Sequence, residues 1–71
     1  MEDVIIAGDV DTGDVIVLPG ANDPVLVIRV RLGQGGFIFT VVPAEDRSGE
    51  ERLVTLSTGI RLRRQGRITA S

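Results

Sequence analysis

The chain has 71 residues and contains no Cys, His, Lys, Trp or Tyr. Without Cys it has no disulfide and no thiolate metal site, so nothing in it calls for an oxidising compartment. The side chains left for acid–base or nucleophilic catalysis are those of Asp, Glu, Ser, Thr and Arg. A pair of catalytic carboxylates needs a substantial cleft, which a domain of this size rarely offers. We therefore expect no enzymatic activity and no cofactor.

Long apolar runs and a basic leader are also absent. The longest apolar runs have four residues, whereas a membrane-spanning helix needs ~20. The opening Met1-Glu2-Asp3-Val4 lacks the basic region of a signal peptide. The sequence therefore predicts a cytoplasmic protein with no membrane partner, folded as one domain over residues 1–71.

The residues that are abundant favour β-structure. Val, Ile and Thr make up 22 of the 71 residues, and these β-branched side chains suit pleated, half-buried surfaces. Nine Gly and three Pro separate the apolar segments, as expected for short strands joined by tight turns. We expect strands at residues 14–18, 25–32, 37–42, 52–56 and 60–64, with residues 1–8 as an N-terminal arm or short strand and residues 66–71 as a tail that pairs or frays.

The clearest alternation lies in residues 25–32. Arg29 and Arg31 share one side of this strand, which is therefore expected to face solvent. The opposite side is expected to face the core: Leu26, Ile28, Val30 and Leu32. Nearly full burial is expected for Leu26, Ile28, Val30 and, from a later strand, Val54. The segment Gly33-Gln34-Gly35-Gly36 predicts a hairpin turn with at least one glycine at positive φ.

Two segments carry a resemblance to a known fold. Residues 52–62, Arg52-Leu53-Val54-Thr55-Leu56-Ser57-Thr58-Gly59-Ile60-Arg61-Leu62, resemble the fourth strand, one-turn connection and fifth strand of an SH3-like small β-barrel. The opening Gly13-Asp14-Val15-Ile16-Val17 is similar to the first barrel strand of KOW-type and Hint-type domains. The resemblance implies an all-β fold with the architecture of a five-stranded SH3-like barrel. An OB-like barrel is the alternative.

The family functions do not transfer with that resemblance. Hint-type autoprocessing requires a Cys and a His, and this chain has neither. Peptide-binding SH3 domains use an aromatic groove for proline-rich ligands, whereas the aromatic residues here are Phe37 and Phe39 alone.

Acidic residues are concentrated near the N-terminus. The run from Asp9 to Asp14 has the Asp spacing of a calcium loop, but the twelfth position counted from Asp9 is Gly20 rather than the required Glu. We favour a solvated turn in which Asp14 hydrogen-bonds to backbone, and predict no metal site.

Arginines are concentrated in the second half, and residues 53–71 carry a charge of +4. If strand pairing brings them together, they form a face that contacts phosphate and bases; the alternative is that they balance the acidic N-terminal segment. The candidate nucleic-acid-binding residues are Arg29, Arg31, Arg61, Arg63, Arg64 and Arg67.

Apolar residues occupy both faces of the central hairpin. Val25, Val27, Phe37 and Phe39 are candidate protein-binding residues, because exposed apolar surface marks a partner site. The alternative is that a tightly coiled barrel buries parts of both faces. The sequence predicts a non-catalytic interaction module, which binds another protein or itself through this hairpin, and a nucleic-acid-associated barrel is the alternative.

Overall fold

The computed structural model describes residues 3–46 and 48–67, with Arg67 described by its backbone alone. It confirms an all-β fold, a six-stranded antiparallel sheet in the order β1-β6-β2-β3-β4-β5. The strands are β1 (Asp3–Ile6), β2 (Asp14–Val17), β3 (Pro24–Gly33), β4 (Gly36–Pro43), β5 (Arg52–Leu56) and β6 (Arg61–Arg67), and a single 3₁₀ turn (Ala7–Asp9) follows β1. The sixth strand arises because the N-terminal segment pairs with β6.

The sheet is strongly curled around one core. Its extents are 29 × 26 × 25 Å, whereas a flat single sheet would be only about 10 Å thick. The buried cluster includes a side chain from β2, β3, β4 and β6 and residues near the 3₁₀ turn: Ala7, Val10, Ile16, Val25, Val27, Phe39, Val41 and Leu62. Ile5 of β1 and Val54 and Leu56 of β5 are partly buried against this cluster, so strands from both ends of the sheet contribute to the same interior.

The hairpin of β3 and β4 turns at Gln34 and Gly35. Gly33 pairs with Gly36 across the turn, and Gly35 has φ of 80°. Only glycine adopts such a backbone without a steric cost. The prediction that this glycine-rich connection contains a positive φ is confirmed.

A β-bulge at Ile28 changes the side of β3 that faces the core. Val27 pairs with Val41 and Arg29 pairs with Thr40, so Ile28 has no cross-strand partner. A bulge inserts one residue into the alternation and bends its strand. Before the bulge, Val27 is fully buried at 0% exposure; after it, Val30 packs against the core opposite Phe39.

Part of the predicted core is exposed, because the buried face changes at the bulge. Ile28 is 36% exposed and Leu32 is 78% exposed, so both predictions of burial are wrong. Val30 and Val54 are only partly buried, while Leu26 is buried as expected. The uninterrupted alternation in the sequence did not reveal that the buried face changes partway along the strand.

The turn after β5 and the end of β6 agree with the sequence pattern. Residues 57–60 form one hydrogen-bonded turn between β5 and β6, with the amide of Ile60 donating to the carbonyl of Ser57 at 3.1 Å. The predicted tail at 66–71 is partly strand, since Gly66 and Arg67 belong to β6. Residues 68–71 lie outside the described residues.

Candidate binding surfaces

The four candidate protein-binding residues face the interior. Val25 is 4% exposed, and Val27 and Phe39 are 0% exposed. Phe37 is half-buried against the core, with its ring centroid 6.2 Å from that of Phe39. These side chains hold the hairpin onto the rest of the sheet. The exposed residues of β3 include Ile28, Arg29, Arg31 and Leu32, which follow Val27 along the strand.

The candidate arginines fall into separate groups. Arg29 and Arg31 are exposed on the part of β3 that lies beyond the bulge and pairs only with β4. Arg61 and Arg63 are exposed on β6, opposite Ile6 and Val4 of β1 respectively. Arg63 lies opposite Val17 at one end of β2, whereas Arg29 lies beyond the Val15–Leu26 pair at the other end, so the strand registers do not bring the two pairs together.

The remaining two arginines have other positions. Arg64 donates to the Asp3 carboxylate at 3.2 Å, so it pairs with the adjacent β1 strand. The backbone of Arg67 lies opposite Asp14, and its side chain is outside the described part of the chain. Arg64 therefore pairs on the β1 side of β6, and β2 separates β6 from β3.

Asp14 is a structural residue at the start of β2. It is 0% exposed, and its carboxylate accepts a hydrogen bond from the amide of Asp11 at 2.8 Å. The prediction that Asp14 bonds to backbone is confirmed, although the side chain is buried rather than solvated. Within the described residues, no group of three His, Cys, Asp or Glu side chains is placed to hold a metal ion.

A groove that the sequence did not predict lies beside β5. One wall is a turn at residues 18–21, in which the amide of Ala21 donates to the carbonyl of Leu18 at 3.0 Å. Pro19 and Gly20 occupy its two central positions, and Gly20 has φ of 78°, the pattern of a type II turn. This turn is preorganised, because proline fixes φ and glycine adopts positive φ freely.

The other wall of the groove is β5 itself. The groove has a volume of about 330 Å³ and is lined mainly by apolar residues: Leu18, Pro19, Gly20, Ala21, Arg52, Leu53, Val54 and Leu56. Leu53 is 71% exposed, while Leu18, Val54 and Leu56 are only partly buried against the core. The groove therefore marks a place where the curled sheet leaves its interior incompletely covered.

Arg52 supplies the positive charge of this groove. It is exposed at the start of β5, and no hydrogen bond or ion pair joins its guanidinium to another side chain of the described chain. None of the other residues that line the groove is charged. The site thus combines an apolar surface with one cation that has no internal partner among the described residues.

Comparisons with known proteins add no further assignment. No protein-family model, curated protein or solved structure matches the chain. The part of the chain that the structure describes contains no helix long and apolar enough to cross a membrane.

Proposed function

We propose that the chain is a non-catalytic interaction module that binds another polypeptide through the apolar groove beside β5. The observation that carries this proposal is Leu53, which is 71% exposed next to a groove lined mostly by apolar side chains. Covering a leucine side chain contributes about 1.5–3 kcal/mol when burial is complete. A partner that covers Leu53 would gain part of that free energy, and one that also fills the groove would cover Val54 and Leu56, which lie on the other face of β5.

In this arrangement the β3–β4 hairpin is the scaffold, and the contact surface lies beside β5 rather than on the hairpin itself. Val27 and Phe39, which the sequence predicts to be protein-binding residues, are fully buried and stabilise the fold instead. β5 pairs with β4 along its whole length, so the hairpin holds the exposed Leu53 on a rigid strand. Rigid presentation lowers the entropic cost of binding.

Nucleic-acid binding is supported less well by the arrangement of charge. The Arg29 and Arg31 pair stands apart from Arg61 and Arg63, and the whole chain carries a formal charge of −2. Few phosphates could be neutralised by one pair of arginines, and phosphate neutralisation provides most of the affinity for nucleic acid. We therefore treat oligonucleotide binding as an outcome of the test below.

We also propose that the sheet is a variant of the SH3-like barrel. Three features support this: a long bent hairpin of β3 and β4, a single turn between β5 and β6, and five consecutive strands from β2 to β6. β1 then adds a sixth strand to the edge of that arrangement.

The function is tested with a display library of random linear peptides selected on the immobilised chain. Selected peptides are then measured against Leu53→Thr and against a matched control, Val4→Thr. Both original side chains are 71% exposed, and threonine keeps a high strand propensity. We expect binding to weaken for Leu53→Thr and to remain unchanged for Val4→Thr.

Two parallel measurements separate the alternatives. Labelled single- and double-stranded oligonucleotides are titrated at ~50 mM salt, where phosphate contacts are strong, and sedimentation is recorded over a range of protein concentrations. Selection of no peptide that depends on Leu53 would overturn the proposal. Oligonucleotide binding that is lost in Arg29→Gln would favour the arginine surface instead.

A further inference from the structure

The edge strand β5 lacks the features that usually protect a sheet edge. Among the described strands it pairs with β4 alone, and its register runs without a shift from Arg52, opposite Val41, to Leu56, opposite Phe37. It contains no proline and only one charged residue, Arg52. Natural edge strands are commonly interrupted by bulges, prolines or inward charges, because unpaired backbone groups otherwise recruit another strand.

A close approach between β4 and β5 shows which backbone groups point outward. A Cβ built on Gly36 would overlap the carbonyl oxygen of Leu56, so that carbonyl points towards β4. Backbone groups alternate sides along a strand. The amide and carbonyl groups of Leu53 and Thr55 therefore face the open edge and offer two donors and two acceptors.

The groove lies where the side chains of an added strand would fall. Val54 and Leu56 turn towards the core from β5, and Leu18 faces them from the turn at residues 18–21. A strand paired to the open edge would continue the pleat, so every second side chain would enter the groove and the others would face solvent. The five residues of β5 span roughly 17 Å, enough for two or three side chains of the added strand to enter the groove.

We propose that β5 accepts an extended peptide as an additional strand, with apolar side chains at alternate positions and a carboxylate that pairs with Arg52. The charge is complementary, because Arg52 is the one charged residue lining the groove and has no internal partner among the described residues. Backbone hydrogen bonds to Leu53 and Thr55 supply affinity, and the alternating side chains supply selectivity, as in other complexes formed by strand addition. This inference rests on the proposed function and specifies its ligand.

The test uses synthetic peptides that alternate Val with Thr and carry one Glu at an end, each long enough to cover β5. One version is N-methylated at the positions whose amides would face β5, and the matched version at the intervening positions. We expect the first to bind roughly fivefold or more weakly than the second, because it loses backbone hydrogen bonds. Amide exchange of Leu53 and Thr55 should slow when the unmethylated peptide binds.

The carboxylate is tested by replacing Glu with Gln in the peptide and by the variant Arg52→Gln. An exposed ion pair of this kind changes affinity by about two- to fivefold. We expect this loss with either change alone and no further loss when the two are combined. Arg61→Gln is the matched control, since Arg61 is exposed on β6, which does not pair with β5, and does not line the groove, and it should bind as the wild type does.

The outcomes distinguish strand addition at β5 from the more general proposal that the chain binds a polypeptide through the groove. If peptides bind in a Leu53-dependent way but amide exchange at Leu53 and Thr55 is unchanged and both N-methylated versions bind equally, strand addition is refuted while the interaction module survives. If no peptide depends on Leu53, the function itself fails. A dimer that sediments as such and dissociates in Leu53→Thr would assign the edge to a second copy of the chain and overturn the peptide proposal.

Discussion

Gly36→Ala should be the most damaging glycine substitution in the β3–β4 turn. A Cβ on Gly36 overlaps the Leu56 carbonyl oxygen and comes within 2.8 Å of its carbonyl carbon. Both atoms are backbone, so β4 and β5 must separate to accommodate the methyl group. Overpacking of this kind costs about 1–3 kcal/mol, and each sheet hydrogen bond that is broken costs about 1 kcal/mol.

The expected loss is therefore about 3–5 kcal/mol if two hydrogen bonds are broken. A domain of this length has a total stability of roughly 4–10 kcal/mol, so at the lower end of that range the variant should be about half-unfolded, and at the upper end it should stay folded with a much lower urea midpoint. The matched control is Gly35→Ala. Gly35 has φ of +80° and open space around its Cβ position, so only the backbone penalty of about 1–2 kcal/mol applies.

Urea denaturation followed by far-UV circular dichroism measures both variants, because the chain has no Trp or Tyr for fluorescence. We expect Gly36→Ala to have a much lower midpoint than Gly35→Ala. Equal midpoints would refute the argument that the Gly36 position is closed by the backbone of β5. A greater loss in Gly35→Ala would show that the φ penalty outweighs the steric one.

Three further predictions follow from burial and turn geometry. Val27→Ala should lower the free energy of unfolding by about 2–3 kcal/mol, since Val27 is 0% exposed. Ile28→Ala should lower it clearly less in the same urea denaturation, and the reverse order would contradict the bulge. Gly20→Ala should destabilise by about 1–2 kcal/mol because Gly20 has φ of +78°, and an unchanged melting temperature would exclude the positive φ. Asp3→Asn should cost less than about 1 kcal/mol, because its pair with Arg64 is exposed; a larger loss in thermal denaturation would show a stronger contact.

The sequence predicts the local parts of this fold well. The many β-branched residues indicate strands, and the glycines from Gly33 to Gly36 indicate the turn between two of them. Both signals depend on neighbours in the chain, and both agree with the structure. The buried face of β3 is not a local property. Alternation continues without a break through Ile28, and the bulge appears only when the strand pairs with β4 along almost its whole length and with β2 at its first residues.

The candidate site could not be predicted from local sequence patterns for a similar reason. Leu53 has the sequence context of a core strand residue, and nothing around it shows that β5 lies at an edge. That position depends on the order of all six strands. The turn at Pro19 and Gly20 was readable as a loop, but its proximity to β5 arises from the curl of the sheet. Likewise, arginines that share parity along two strands need not share a surface once the sheet closes around its core.

The pairing of β1 with β6 has a consequence for the order of folding. Asp3 and Arg64 are 61 positions apart, whereas β3 and β4 are joined by a two-residue turn. Closing a loop costs about 0.6 kcal/mol more for each doubling of its length, so the β1 contact begins with an entropic disadvantage on the order of 3 kcal/mol. β1 has only four residues and is mostly exposed, so it offers little burial to offset that cost. β1 is therefore expected to join the sheet last, and its amides should be the first to exchange with solvent while the other strands remain paired.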